Sequence, residues 1–161
     1  MPSTAERMSG DVAEFWSHVR SGHREGHFYV ALFGLRKYDP LHVVAQIQRG
    51  LAYTAFERFQ RNTELSFAAL AQLVAIPKRT LARRKEAGRL ETNESDRLVR
   101  VSRVFGRAIE LFEGNADDAR GWLTTPRPAL SGRTPLDFAM TDVGAIEVEN
   151  LIGRIEHGLP V

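Results

Sequence analysis

Cysteine is absent from the sequence, which excludes disulfide scaffolds, thiolate zinc sites, iron–sulfur clusters and cysteine nucleophiles. The absence favours a reducing compartment, so we expect a cytoplasmic protein. Long apolar runs are also missing. The longest near the start, residues 28–35, is interrupted by Gly34 and falls short of the roughly 20 residues of a membrane helix. The first residues lack the pattern of a signal peptide, and we predict no membrane partner.

A strong excess of either charge is missing as well, because the formal net charge is only +2. The charges are nevertheless segregated along the chain. Residues 61–90 contain seven basic and two acidic side chains, whereas residues 114–161 contain four basic and seven acidic ones. A basic centre followed by an acidic C-terminal third indicates two surfaces with different partners, one of them polyanionic.

The spacing of apolar residues predicts an all-α fold. The strongest pattern alternates spacings of three and four residues and predicts one long helix, with Thr92 or Asn93 as its cap and Gly114 just past its end. Its apolar positions are Leu98, Val101, Phe105, Ala108 and Phe112.

A second clear helix is predicted at the C-terminal end of the sequence. It follows Thr141 and Asp142 and stops at Gly158. Its apolar stripe consists of Val148, Leu151, Ile152 and Ile155. Such a stripe is typical of a helix that packs one face against a core.

Shorter elements are predicted before and between these two helices. Pro40 fits the first turn of a helix that ends at Gly50, and residues 53–59 mark another. Residues 15–19 favour a helix, while residues 28–35 are compatible with a helix or a strand. Three of the seven prolines lie within residues 124–135, so this connection is not expected to be an α-helix.

The basic centre, residues 67–85, reads FAALAQLVAIPKRTLARRK. Two short helices with a break at residues 75–77 resemble the helix-turn-helix of repressors. The positions expected to face inward are Leu70, Ala71, Val74, Ile76 and Leu81. Two residues depart from the usual pattern, since Ala75 replaces a turn glycine at modest strain and Arg84 replaces an apolar residue. The alternative is a plain helical hairpin without a nucleic-acid role.

The second of these helices carries the positive charge. With Leu81 toward the core, a rotation of about 100° per residue turns Arg79 and Arg83 outward. Two arginines one turn apart can reach base edges or phosphates in a major groove, and their neighbours suit phosphate contacts. The predicted DNA-binding residues are Lys78, Arg79, Thr80, Arg83, Arg84 and Lys85.

One helix-turn-helix reads only a few base pairs, so we expect a symmetric homodimer on a two-part operator. We assign DNA binding to residues 53–92. Dimerisation is assigned to residues 1–52, whose apolar side chains exceed what a helix-turn-helix alone could cover. Residues 93–161 form the predicted C-terminal helical domain.

Four stretches carry a family resemblance: RTLARRKEAGRL, SDRLVRVSRVF, WLTTPRPALSGRTPLDF and EVENLIGRIEHG. From about Leu65 to Val161 the chain resembles the antitoxins of the Xre/MbcA/ParS group, which pair with RES-domain toxins. The resemblance implies an all-helical chain, with a repressor-like helix-turn-helix bundle followed by a small helical toxin-binding domain. It also implies a cognate toxin that consumes NAD.

The resemblance also implies which residues contact the toxin. The family's tryptophan-to-proline connection matches Trp122, Leu123, Pro126, Pro128, Ala129, Leu130, Gly132, Arg133, Thr134, Pro135 and Leu136. Because the end of the chain contacts the toxin in this family, toxin contact is assigned to Arg154, Glu156, His157, Leu159, Pro160 and Val161. The alternative for Trp122 and for the apolar stripe of the last helix is internal packing.

The best candidate for metal or catalytic chemistry is the segment GHREGH, residues 22–27. His23 and His27 would share one face of a helix with Glu25 between them. Gly22 and Gly26 discourage a helix, however, and no third ligand is apparent. We therefore expect no catalytic residue, no metal site and no cofactor.

Three hypotheses of function follow from the sequence. The favoured one is an antitoxin that sterically inhibits a toxin and represses its own operon. The second is a free-standing transcriptional repressor without a toxin partner, which leaves the acidic C-terminal third unexplained. The third is a small hydrolase that uses the N-terminal histidines.

Overall fold

The computed structural model describes residues 10–21 and 28–161, and within those ranges it is all-helical. This confirms the fold class that the sequence predicts. The α-helices are α1 (Gly10–Arg20), α2 (Pro40–Arg49), α3 (Tyr53–Thr63), α4 (Phe67–Leu73), α5 (Lys78–Ala87), α6 (Thr92–Leu111), α7 (Ala116–Leu123), α8 (Pro135–Phe138) and α9 (Asp142–Glu156). Two 3-10 helices lie at Phe28–Phe33 and Pro128–Leu130. No helix in the described ranges is long and apolar enough to span a membrane.

The long helix α6 is the centre of the core. It packs against α1, α2, α3, α4, α7, α9 and the first 3-10 helix. All of its predicted apolar positions are fully or partly buried. The predicted cap is off by one residue, because the helix begins after Glu91, whose backbone N–H donates to the Glu94 carboxylate at 2.8 Å. Gly114 lies just past the end, in the left-handed region at φ +91°.

The segment that the sequence left open between helix and strand, residues 28–35, contains the 3-10 helix. Tyr29, Val30, Leu32 and Phe33 are all buried there. A strand could not bury these four side chains on one face, because successive side chains of a strand point to opposite faces. The 3-10 helix packs against α1, α3 and α6.

Polar contacts fix α1 on α3. Arg58 donates two hydrogen bonds of 2.7 Å to the Asp11 carboxylate. The Asn62 side-chain amide donates one hydrogen bond to the Asp11 carboxylate at 3.0 Å and another to the Leu32 carbonyl oxygen at 2.7 Å. The described N-terminal residues therefore belong to the same core as the basic centre.

The helices α2 and α9 confirm their predicted starts and stops. Asp39 caps α2, with its side chain accepting from the Leu41 N–H at 3.1 Å, and Pro40 is the first helical residue. Thr141 caps α9 by accepting from the Gly144 N–H at 3.0 Å. The predicted apolar stripe of α9 is buried or half-buried.

Three ion pairs connect α6 to α9 and define what we call the arginine ladder. Arg100 lies 3.7 Å from Asp142, Arg103 lies 2.6 Å from Glu149, and Arg107 lies 3.0 Å from Glu156. The acidic partners are seven residues apart, which is two helical turns. The ladder therefore follows the whole length of α9.

Candidate functional sites

The helices α4 and α5 form the turn that the sequence predicts. Ser66 caps α4 by accepting from the Ala69 N–H at 3.0 Å. Ala75 adopts the left-handed conformation at φ +55°, so the turn forms without its usual glycine. The Ile76 N–H donates to the Ala71 carbonyl at 2.8 Å, and the Ile76 side chain is buried beneath the turn.

The outward face of α5 is basic. Lys78, Arg79, Arg83 and Lys85 are exposed, and Thr80 is half-buried. The Arg83 guanidinium donates to the Thr80 hydroxyl at 3.2 Å. Glu86 is the single acidic residue of α5, so positive charge predominates along the exposed face of the helix.

The Arg84 side chain points toward the start of α6. Its Nε donates to Glu94 at 2.8 Å, and its Nη2 lies 3.2 Å from Glu91. The side chain is only 18% exposed, and that of Glu94 is 9% exposed. Because two acids at the start of α6 neutralise this charge, Arg84 anchors α5 and leaves the DNA-binding set that the sequence predicts.

One further basic residue extends the α5 face, and sequence reasoning missed it. Arg89 follows the helix directly, is exposed, and donates to the Arg49 carbonyl oxygen at 3.1 Å. The signal was its position just past Gly88, which ends the helix in the left-handed conformation. We define the basic surface as Lys78, Arg79, Thr80, Arg83, Lys85 and Arg89.

The connection from Trp122 to Pro135 is a structural clamp. The Arg127 guanidinium lies 5.2 Å from the centre of the half-buried Trp122 ring, and Arg133 lies 5.4 Å from that of Phe138. The Arg127 N–H donates to the Arg133 carbonyl at 3.0 Å. Leu130 and Leu136 are buried. The connection therefore supports the fold of the C-terminal part.

The helix α9 exposes a continuous stripe opposite its buried face. Val143 is 72% exposed and Ile146 is 45% exposed. Further along lie the exposed residues Glu147, Asn150, Arg154 and His157. Sequence reasoning missed Val143 and Ile146, although both are apolar and both fall off the helix's core stripe. We call Val143, Ile146, Glu147, Asn150, Arg154 and His157 the outer stripe of α9.

The residues that the sequence assigned to the second partner divide into two groups. Arg154, His157, Leu159, Pro160 and Val161 are exposed. Glu156 instead pairs with Arg107, which is also bound to Glu110 at 2.8 Å. Glu156 therefore closes the arginine ladder, while its side chain stays 29% exposed.

The candidate metal segment, His23 with Glu25 and His27, lies outside the described residues. Elsewhere in the part of the chain that the structure describes, no group of three or more histidines and acids is arranged to hold a metal ion.

Two family models match the chain. Residues 42–103 match the antitoxin Xre-like helix-turn-helix domain, and residues 107–158 match the antitoxin Xre/MbcA/ParS C-terminal toxin-binding domain. A protein of Yersinia enterocolitica named Antitoxin Xre is 35% identical over 118 residues, which are 73% of this chain and 80% of the relative. The chain belongs to the Xre family of antitoxins.

Other relatives agree with this assignment. An Antitoxin Xre of Photorhabdus laumondii is 34% identical over 119 residues, with the same coverage of 73% and 80%. A Sphingobium protein named Prs ADP-ribosylating antitoxin is 25% identical over 159 residues, which cover 91% of this antitoxin and 98% of that protein. The antitoxin role is non-enzymatic, as the sequence predicts.

The two matched domains coincide with the two surfaces of the antitoxin. The first match contains α5 and its basic surface, and the second contains the outer stripe of α9. The boundary between the matches falls inside α6. A single helix therefore belongs to both the DNA-binding and the toxin-binding domain.

Proposed function

We propose that this antitoxin sterically inhibits a cognate RES-domain toxin that consumes NAD, and that it represses its own operon as a homodimer in the cytoplasm. The observation that carries the proposal is the presence of both matched domains on one chain, each with an exposed surface of suited chemistry. The Sphingobium relative's name connects an antitoxin with ADP-ribosylation, a reaction whose usual ADP-ribose donor is NAD.

Toxin contact is assigned to the outer stripe of α9 together with Leu159, Pro160 and Val161. The exposed apolar residues Val143 and Ile146 supply area that a partner can desolvate. Residues 114–161 contain more acids than bases, and an enzyme pocket for an anionic dinucleotide is expected to be basic. Opposite charges of this kind accelerate association.

The test is co-expression with the protein encoded beside this gene, followed by a pull-down and an NAD-consumption assay. Deleting α9 is unsuitable, because Val148, Leu151 and Ile152 are part of the core. The variant Val143→Asp leaves the core intact and places a charge in the stripe. The matched control is Leu41→Asp, at the second residue of α2, just as Val143 is the second residue of α9.

We expect the neighbour to co-purify with the wild type and with Leu41→Asp, and its NAD consumption to be silent in both complexes. Val143→Asp should lower the retained amount at least tenfold and restore NAD consumption. If the neighbour binds neither the wild type nor the control, the toxin proposal fails, and a free-standing repressor takes its place.

The basic surface is assigned to operator DNA. Arg79 and Arg83 lie one turn apart on the exposed face of α5, which suits guanine edges or phosphates in the major groove. Residues Lys78, Thr80, Lys85 and Arg89 border them and suit phosphate contacts. Repression then follows from occupation of the promoter.

A further inference from the structure

The helix α2 carries an exposed stripe on the side that faces away from the core. Leu41 is 82% exposed and Val44 is 50% exposed. Ala45 and Gln48 continue the stripe at the spacing of one helix face and are also exposed. Val43 on the opposite side is buried. We call Leu41, Val44, Ala45 and Gln48 the α2 stripe.

The other large exposed apolar side chains of the described residues already have an account. Phe67 contacts the Phe56 ring, with the ring centres 6.0 Å apart. Val143 and Ile146 lie in the matched toxin-binding domain, and Leu159 and Val161 lie within three residues of its end at residue 158. The α2 stripe is thus a mainly apolar surface for which neither the fold nor the toxin accounts. Val44, Ala45 and Gln48 fall within the helix-turn-helix match, and Leu41 directly precedes it.

The α2 stripe is self-complementary. If two copies of α2 pair antiparallel about a point between Val44 and Ala45, Leu41 of each copy meets Gln48 of the other. The stripe itself is uncharged, so no like charges meet at its centre. The exposed acid Asp39 lies at one end of α2 and the exposed base Arg49 at the other, so the antiparallel pair brings Asp39 of each copy toward Arg49 of the other. A two-fold interface requires this kind of match.

The position of α2 relates this surface to DNA. Arg89 donates to the Arg49 carbonyl oxygen at 3.1 Å, the Leu90 N–H donates to the Leu51 carbonyl at 2.8 Å, and the Tyr53 N–H donates to the Gly88 carbonyl at 2.9 Å. The C-terminal ends of α2 and α5 are therefore held together. A two-fold axis at α2 fixes two copies of the basic surface relative to each other.

We propose that a second copy of this chain covers the α2 stripe and that this contact sets the spacing of two operator half-sites. The inference rests on the proposed DNA binding. Four side chains per copy cover much less than the roughly 1,200 Å² at the low end of stable interfaces. The pair is therefore weak in free solution and forms when two copies bind adjacent half-sites.

Cross-linking tests the geometry directly, because the wild type contains no cysteine. Ala45 lies at the proposed two-fold axis, so Ala45→Cys should form a disulfide with its own copy under mild oxidation in the presence of the upstream DNA fragment. The matched control is Ala13→Cys, an equally small exposed helical residue on α1. Failure of Ala45→Cys to cross-link, or equal cross-linking of both variants, overturns the proposal.

Footprinting on the same fragment separates this proposal from the proposed function. Leu41→Asp should abolish cooperative occupation of the two half-sites and leave the affinity for one isolated half-site within about twofold, whereas Val143→Asp should change neither. Undiminished cooperativity in Leu41→Asp overturns the α2 contact. If the wild type does not bind the fragment, the proposed DNA binding itself fails.

Discussion

Arg83 is the residue on which DNA binding can be tested most simply. It is exposed and has a neutral neighbour, Thr80, as its hydrogen-bond partner. Arg83→Ala should weaken operator binding and, if the side chain contacts a phosphate, reduce the slope of log affinity against log salt by about one.

The matched control for Arg83 is Arg154→Ala, which removes an exposed arginine from the toxin-binding domain. Fluorescence anisotropy at several salt concentrations measures both slopes. An Arg83→Ala affinity and slope equal to those of the wild type would contradict the assignment, and would favour the interpretation of α5 as a solvated helix without a DNA role.

Arg84, one residue further on, has a structural role. Its removal leaves the buried carboxylate of Glu94 with only the Glu91 N–H as a partner. We expect Arg84→Ala to lower the free energy of unfolding by about 3 kcal/mol, as for other broken buried ion pairs. Urea denaturation measures the loss.

The double variant Arg84→Met with Glu94→Gln removes both charges and should recover most of this stability. If the single variant is as stable as the wild type, the ion pair is not what holds α5 on α6.

The ion pair between Asp11 and Arg58 should make the free energy of unfolding depend on pH. The hydrogen bonds from the Arg58 side chain hold the pKa of Asp11 below its ordinary value. The stabilisation by this pair is therefore fully present above the pKa of Asp11 in the unfolded chain, about 3.9. It is lost as the pH falls through the lower pKa of Asp11 in the folded protein. Urea denaturation from pH 6 to pH 3 should show a shallower loss for Asp11→Asn than for the wild type. Parallel pH profiles would contradict this.

The junction between α2 and α3 depends on one backbone position. Gly50 has φ +90°, and a Cβ atom there would lie 2.1 Å from the Leu90 carbonyl oxygen. Gly88 has φ +76° but open space around it. We expect Gly50→Ala to cost more than about 3 kcal/mol and Gly88→Ala about 1 kcal/mol, as measured by thermal or urea unfolding. Equal costs would show that the close approach to Leu90 is relieved without strain.

Most elements of this fold could be predicted from the sequence, because their signals are local. Pro40, Thr141 and Gly158 mark helix ends through their own conformational preferences, and the spacing of Leu98, Val101 and Phe105 defines α6. The residues that sequence reasoning misplaced depend on contacts between elements. The sequence could not show that Glu156 pairs with Arg107, or that Glu94 of α6 lies against Arg84.

The exposed sites also follow from local signals at the level of helices. The outward direction of Arg79 and Arg83 could be calculated, since one buried residue, Leu81, fixes the rotation of α5. Val143 and Ile146 fall off the predicted core stripe of α9, so their outward direction could be calculated in the same way, and their exposure in the structure agrees with it.

The whole molecule presents its two surfaces on one continuous support. Both matched domains include part of α6, and the arginine ladder attaches α9 to the same helix. The DNA-binding and toxin-binding domains therefore have no flexible linker at their boundary. A variant on one surface is expected to leave the other surface in place, which makes separation of function by point substitution possible.

The continuity of α6 also has a consequence for how this antitoxin is turned over in the cell. Proteases cut most readily in exposed flexible segments, and the domain boundary offers none. Neither half can therefore be trimmed away to survive alone, since each contributes part of the helix that the other needs. If the proposed function holds, degradation is expected to remove both activities in one event, so that loss of the promoter-bound form and release of the toxin would coincide in time.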